Sequence, residues 1–139
     1  RLYEASQAGV EIDLIIRGIC CLIPGQKYSR NIRVTRIVDT FLEHARIWYF
    51  GNGGNPKLFL GSPDWMRRNL YRRIEAVTPI LDPDAKQELI DMLSIQLSDK
   101  RKACFVDENL HNCWKSAHPL KEKVCSQYTF YEYLKERIE

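Results

Sequence analysis

The chain has 139 residues and a mass of 16.4 kDa, with 45% hydrophobic residues, enough to bury one moderate core and hardly two. Its formal net charge of +3 does not demand nucleic acid as a partner. No run of about 18 apolar residues marks a membrane span, and no charged-then-apolar leader opens the chain. The charge is uneven along the sequence. Residues 1–80 carry 12 Lys and Arg against 7 Asp and Glu, whereas residues 81–139 carry 9 against 11, so an anion belongs with the first half. Five cysteines, Cys20, Cys21, Cys104, Cys113 and Cys125, are an odd number with no repeated spacing, which fits reduced thiols used as small core residues. His111, Cys113 and His118 match none of the usual zinc spacings, so no metal is expected there.

The opening residues 1–9 start at Arg1 rather than Met and read as a helix entered partway along and stopped by Gly9, which suggests a piece of a longer chain. Val10 to Ile16 is a β-branched run ending in Arg17-Gly18, the pattern of a buried strand with a polar residue at its carboxyl end. Residues 19–36 read as a loop bearing Lys27, Arg30, Arg33 and Arg36, and residues 35–43 as a turn or two of helix or a strand. After His44 comes a hairpin: residues 46–50, the turn Gly51-Asn-Gly-Gly-Asn55, and residues 57–60. Ser62 and Pro63 suit the N-cap and first position of a short helix from Trp65. Residues 73–78 read as a strand ended by Pro79. Residues 85–97 form an amphipathic helix with Leu89, Ile90, Leu93 and Leu97 facing the core. A short strand is expected over 102–106 and irregular chain over 107–121. A closing helix follows over 126–138, striped by Phe130, Tyr131, Leu134 and Ile138.

The chemistry-bearing pattern is a histidine just before one hairpin strand, a glycine-rich turn, and a second strand ending in Gly61-Ser62-Pro63-Asp64. A side chain at a strand end is held by the sheet yet faces solvent, so His44 can exchange a proton or contact a phosphoryl oxygen. The alternative is a histidine hydrogen-bonded at a strand edge. Arg17 is permanently charged and able to grip phosphate with two N–H groups, or else forms a rim salt bridge with a carboxylate such as Asp13. Arg67, Arg68, Arg72 and Arg73, like Lys27, Arg30, Arg33 and Arg36, either line a polyanion channel or form a solvated face, and charge runs usually do the latter. Trp48, Tyr49 and Trp65 read as core or interface residues.

The pattern resembles the phospholipase D superfamily, whose motif places His-x-Lys at a strand start and Gly-Ser-x-Asn after a hairpin. Here Arg46 stands for the Lys, Asp64 for the Asn, and no acidic residue falls within the hairpin strand. A closer resemblance, over nearly the whole chain, is to the C-terminal domain of the long bacterial polyphosphate kinases. It is carried by Ile12 to Gly18, Cys21 to Pro24, Ile37-Val-Asp39, Leu42-Glu-His44-Ala-Arg46, Asn52-Gly-Gly54, Ser62 to Asn69, Arg73-Ile-Glu75, Thr78-Pro79 and Leu81-Asp-Pro83.

That resemblance implies an α/β fold with a phospholipase-D-like mixed sheet flanked by helices. Residues 1–139 would be part of a C-terminal catalytic domain truncated at its N-terminus. It implies reversible transfer of the terminal phosphate of ATP to polyphosphate through a phosphohistidine, with that histidine and the magnesium ligands in a preceding domain. Within this chain it implies that Arg17 and His44 bind the nucleotide and that His44 also assists catalysis. ATP or ADP and polyphosphate are the implied ligands, with the remaining domains of the polypeptide and further copies of the enzyme as partners. The expected location is cytoplasmic, with membrane association left open. A phospholipase-D-type phosphodiesterase and a polyanion-binding module without chemistry stand as alternatives. Loss of a first strand would leave an unpaired sheet edge and a tendency to self-associate.

Overall fold

The computed structural model describes residues 1–138; Glu139 and the side chain of Ile138, the last member of the closing stripe, lie outside the described residues. Contacts divide the chain into two compact units, Arg1–Phe41 with Leu93–Glu139, and Leu42–Met92. The α/β expectation is met, with a mixed sheet in the first unit and a separate antiparallel sheet in the second.

In the first unit, helix α1 (Leu2–Gln7) precedes strand β1 (Ile12–Ile15), and Gly9 takes the positive φ of 92° that reverses the chain between them. Strand β2 (Ile32–Ile37) runs parallel to β1, pairing Leu14 with Val34. The loop reading of residues 19–36 is therefore corrected. The strand buries Ile32 and Val34 on one face and Thr35 and Ile37 on the other, and two arginines disguise its apolar run. Strands β6 (Ala103–Val106) and β7 (Asn112–Trp114) complete the order β1-β2-β6-β7, both pairings antiparallel. β7 falls inside the span read as irregular and shows no buried residue, which is why no hydrophobic period announces it.

The core of this unit is Ile32, Val34 and Val106, covered by Leu2 and Tyr3 of α1 and by Ile12, Leu14, Ile16, Cys20 and Leu22. Each such buried side chain contributes about 1.5–3 kcal/mol. Polar groups tie the loops down: the Tyr3 hydroxyl accepts the Ile23 N–H at 2.9 Å, and Ser6 accepts the Asn31 backbone N–H on its hydroxyl and the Asn31 side-chain amide on its carbonyl. Asp99 is fully buried, and its carboxylate accepts the N–H groups of Arg101, Lys102, Ala103 and Ser126, joining the start of β6 to helix α4 (Ser126–Ile138).

In the second unit, strands β3 (Arg46–Phe50) and β4 (Lys57–Gly61) form the expected hairpin. Its turn is a short 3-10 segment in which Asn52, Gly53 and Gly54 take positive φ values of 44°, 60° and 92°, conformations that Gly and Asn tolerate. Strand β5 (Val77–Pro79) joins β4, so only the end of the segment read as a strand over 73–78 pairs. Residues before it are drawn elsewhere: Ala76 gives its carbonyl to the Ser62 N–H, and Glu75 turns toward Ser62 and Asn69. Helix α2 (Arg67–Arg72) starts after Met66, later than expected. Ser62 does not cap it, because its hydroxyl donates to Glu75 instead.

Helix α3 (Pro83–Ser98) contains the boundary between the units. Asp82 caps it by accepting the Ala85 N–H at 2.8 Å. Leu89, Ile90 and Leu93 are half-buried, while Leu97, near the last turn, is exposed rather than core. No described helix is long and apolar enough to cross a membrane.

Candidate functional site

Arg17 lies two residues beyond the carboxyl end of β1, beside its parallel neighbour β2. Ligands of open α/β sheets gather at the carboxyl ends of parallel strands. The main chain around Arg17 is anchored on both sides. The Ile16 N–H donates to Thr35 O at 2.9 Å, and Arg36 donates to Gly18 O at 3.0 Å and to Asn112 Oδ1 at 2.8 Å.

Asp13, the carboxylate that Arg17 was expected to meet if it were a rim residue, is engaged by Arg33. Its two oxygens accept Arg33 Nε and Nη2 at 2.7 and 3.0 Å, and Glu11 holds the third nitrogen at 3.1 Å. The Arg33 hydrogen bond holds the Asp13 carboxyl below its usual range, against the opposing effect of burial. Within its own unit, Arg17 is left exposed with no ion pair or side-chain hydrogen bond among the described residues. The four cations of residues 27–36 accordingly divide: Arg33 and Arg36 brace the sheet, and Lys27 and Arg30 face solvent.

The β2 strand leads to Asp39, whose side chain is 3% exposed and pairs with Lys102 Nζ at 3.0 Å and Cys125 Sγ at 3.0 Å. Burial pushes this carboxyl up, but the Cys125 and Lys102 hydrogen bonds outweigh it and the net shift is downward. The Cys125 thiol is pushed up to about 11, by burial first and then by the neighbouring carboxylate. Two residues on, the Gln127 side-chain amide grips the Phe41 backbone, accepting its N–H and donating to its carbonyl, both at 2.7 Å. A concavity of about 370 Å³ opens here, lined by Arg101, Lys102, Lys123 and the hydroxyls of Thr40, Tyr128 and Thr129. These cations sit in the net-negative half of the chain, where the charge balance hides them. The run Lys100-Arg101-Lys102 was the available signal.

His44 belongs to the second unit and is exposed, two residues before β3. Its carbonyl accepts Arg46 Nη1 at 2.6 Å. The same guanidinium meets Asp64 Oδ1 through Nε at 2.8 Å and Nη2 at 2.6 Å. Two of the three departures from the phospholipase D motif, Arg46 and Asp64, thus form one ion pair. The turn carrying Asp64 is fixed by Glu75, which accepts Ser62 Oγ at 2.5 Å and Asn69 Nδ2 at 2.8 Å. Those hydrogen bonds hold the Glu75 carboxyl below its usual range.

Arg67, Arg68, Arg72 and Arg73 are exposed, as a solvated face requires. Arg67 and Arg72 line a shallow concavity with Trp65, Leu70 and Tyr71. Tyr49 and Trp65 are exposed rather than core, while Trp48 is half-buried against the Gly61 position. Among the described residues, no three His, Cys, Asp or Glu side chains stand together as a metal-binding group. His111 and Cys113 instead both approach the Asp107 carboxylate.

Residues 1–127 match the family described as polyphosphate kinase C-terminal domain 2. The chain is 48% identical over 133 residues to the polyphosphate kinase of Halalkalibacterium halodurans, covering 95% of this chain and 19% of that protein. It is 46% identical over 136 residues to that of Escherichia coli strain K12, covering 97% of this chain and 20% of the relative. The crystal structure of polyphosphate kinase from Porphyromonas gingivalis superposes with a TM-score of 0.93 at 56% identity, covering 98% of this chain and 21% of that one. The chain therefore spans about a fifth of the length of these relatives.

Proposed function

This chain belongs to the polyphosphate kinase family, and on that premise we propose that it supplies part of a phosphotransfer site, binding the phosphates of ATP and of polyphosphate. The observation that carries the reading is Arg17. It stands at the carboxyl end of a parallel strand with its loop anchored by Arg36, while Asp13, the carboxylate weighed as its rim partner, is taken by Arg33. An unneutralised planar guanidinium on an anchored loop suits a phosphate with two oxygens facing it. Phosphoryl transfer depends chiefly on such positioning and on cations around the equatorial oxygens. His44, exposed on a backbone held by Arg46, donates a hydrogen bond to a phosphoryl oxygen or moves a proton during transfer. The basic concavity at Arg101, Lys102 and Lys123 adds positive charge for a polyanion.

In this reading the chain works as residues of a longer polypeptide. The phosphorylated histidine and the magnesium ligands lie in a preceding region, and magnesium neutralises phosphate charge there. The residues of this chain then serve to bind and position phosphate. ATP would pass its terminal phosphoryl group to the remote histidine with release of ADP, and a terminal polyphosphate oxygen would then take that group as its bond to the histidine breaks, freeing the histidine.

Calorimetric titration of this chain with ATP and with polyphosphate, at two salt concentrations, tests the proposal. Weak binding that falls as salt rises is expected, with each of Arg17→Ala and His44→Ala reducing it at least fivefold. Binding that both substitutions leave unchanged removes these residues from the site.

A further inference from the structure

We propose that Arg46 and Asp64 form a positioning pair for His44, setting the backbone from which its imidazole reaches the substrate. The inference rests on the reading of His44 as a working residue of the transfer site. A single guanidinium makes the connection. Arg46 Nη1 donates to the His44 carbonyl at 2.6 Å and lies 3.5 Å from that of Ala45, while Nε and Nη2 converge on Asp64 Oδ1. The segment it braces, residues 42–45, belongs to no helix or strand, so no sheet ladder fixes it. Without the guanidinium, the His44 carbonyl would lose this side-chain donor, and misplacement on the scale of an ångström costs rate steeply.

The frame behind the pair is built. Arg46 opens β3 opposite Gly61, the last residue of β4, so the hairpin register places Asp64 three residues beyond that pairing. The intervening turn is held by the Ser62 N–H on Ala76 O and by Glu75 on Ser62 and Asn69. Gly61 is obligatory in this arrangement, since a Cβ would lie 2.8 Å from Ala76 O and 2.9 Å from the Trp48 ring and from Val77. The Arg46 side chain is 19% exposed and that of Asp64 38%, so the pair is partly screened from water. An asparagine at 64 would leave the guanidinium without an ionic partner. A lysine at 46 has one nitrogen and cannot span both Asp64 and the His44 carbonyl with the planar fork that Arg supplies.

The test is a double-mutant cycle in a full-length polyphosphate kinase carrying this region, measuring polyphosphate synthesis in steady state with thermal melts as the check on folding. Asp64→Asn is the primary variant, because it keeps side-chain shape and a carbonyl acceptor. Arg46→Lys is the second. Each is expected to lower kcat at least tenfold while KM for ATP moves less than threefold. In a His44→Gln background, whose residual rate a radiolabelled assay follows, each is expected to cost less than twofold further. A role confined to stability would cost the same factor in both backgrounds. That result, or an unchanged kcat with His44 present, overturns the pairing while leaving the reading of His44 in place. If His44→Gln alone leaves synthesis intact, the reading of His44 fails and the pairing falls with it.

Discussion

At Gly61, atoms of backbone and packed side chains leave no space for a methyl group, and the backbone carbonyl of Ala76 cannot retreat without breaking its bond to Ser62. Gly61→Ala is expected to lower stability by about 2 kcal/mol, as an overpacked site does, read by urea unfolding. Asp99 makes the opposite case, a buried charge rendered tolerable by four backbone N–H donors. Asp99→Ala strands those donors, and a loss of about 3 kcal/mol is expected in the same assay. Cys125 gives a chemical readout: with its thiol near 11 and buried against Asp39, it is protonated at pH 8 and shielded. The exposed Cys21 and Cys113 should label with iodoacetamide in the folded protein, and Cys125 only after denaturant, as peptide mapping by mass spectrometry would show. As candidates, single residues were legible in the sequence where a motif named them, as with Arg17, His44 and the Gly61-Ser62 pair. Their partners were not: Arg46 and Asp64 are 18 residues apart, and Asp13 was offered to Arg17 as an alternative partner when the parallel register gives it to Arg33.

Among the elements, those with a clean period were readable: β1, the β3–β4 hairpin, α3 and α4. β2 escaped because Arg33 and Arg36 interrupt its apolar run, and their purpose appears only in three dimensions, on Asp13 and on Gly18 O. The late start of β5 is likewise tertiary, since Glu75 bonds across to Ser62 and Asn69. These cross-element bonds make the fold acid-sensitive. Asp13, Asp39, Glu75 and Asp107 are all held below their ordinary ranges, so each favours folding while ionised. Their contribution is fully present above the unfolded carboxylate range, about pH 4, and is lost as pH falls through the lower folded values. Urea midpoints should therefore be flat near neutrality and fall below about pH 4. Asp39→Asn should blunt that fall by removing one such group.

For the whole molecule, the two candidate residues lie in different compact units, Arg17 in the first and His44 in the second. Sequence order alone could not reveal this division, because the first unit is assembled from both ends of the chain. β1 and β7 are the outer strands of the mixed sheet among the described residues. Outer strands with free backbone groups recruit further strands, so the isolated chain is expected to gain apparent mass with concentration in light scattering. A single monomer mass up to high concentration would contradict this. Phosphate binding by the unneutralised arginine at the end of β1 is best probed in a full-length polyphosphate kinase carrying this region. The measurement is the rate of polyphosphate synthesis by folded Arg17→Ala and Arg17→Lys variants. A fall of about a hundredfold or more for Ala, as when a preorganised charge donor is removed, with partial recovery for Lys, is the predicted result. Synthesis at the parental rate by a folded Arg17→Ala enzyme would contradict it.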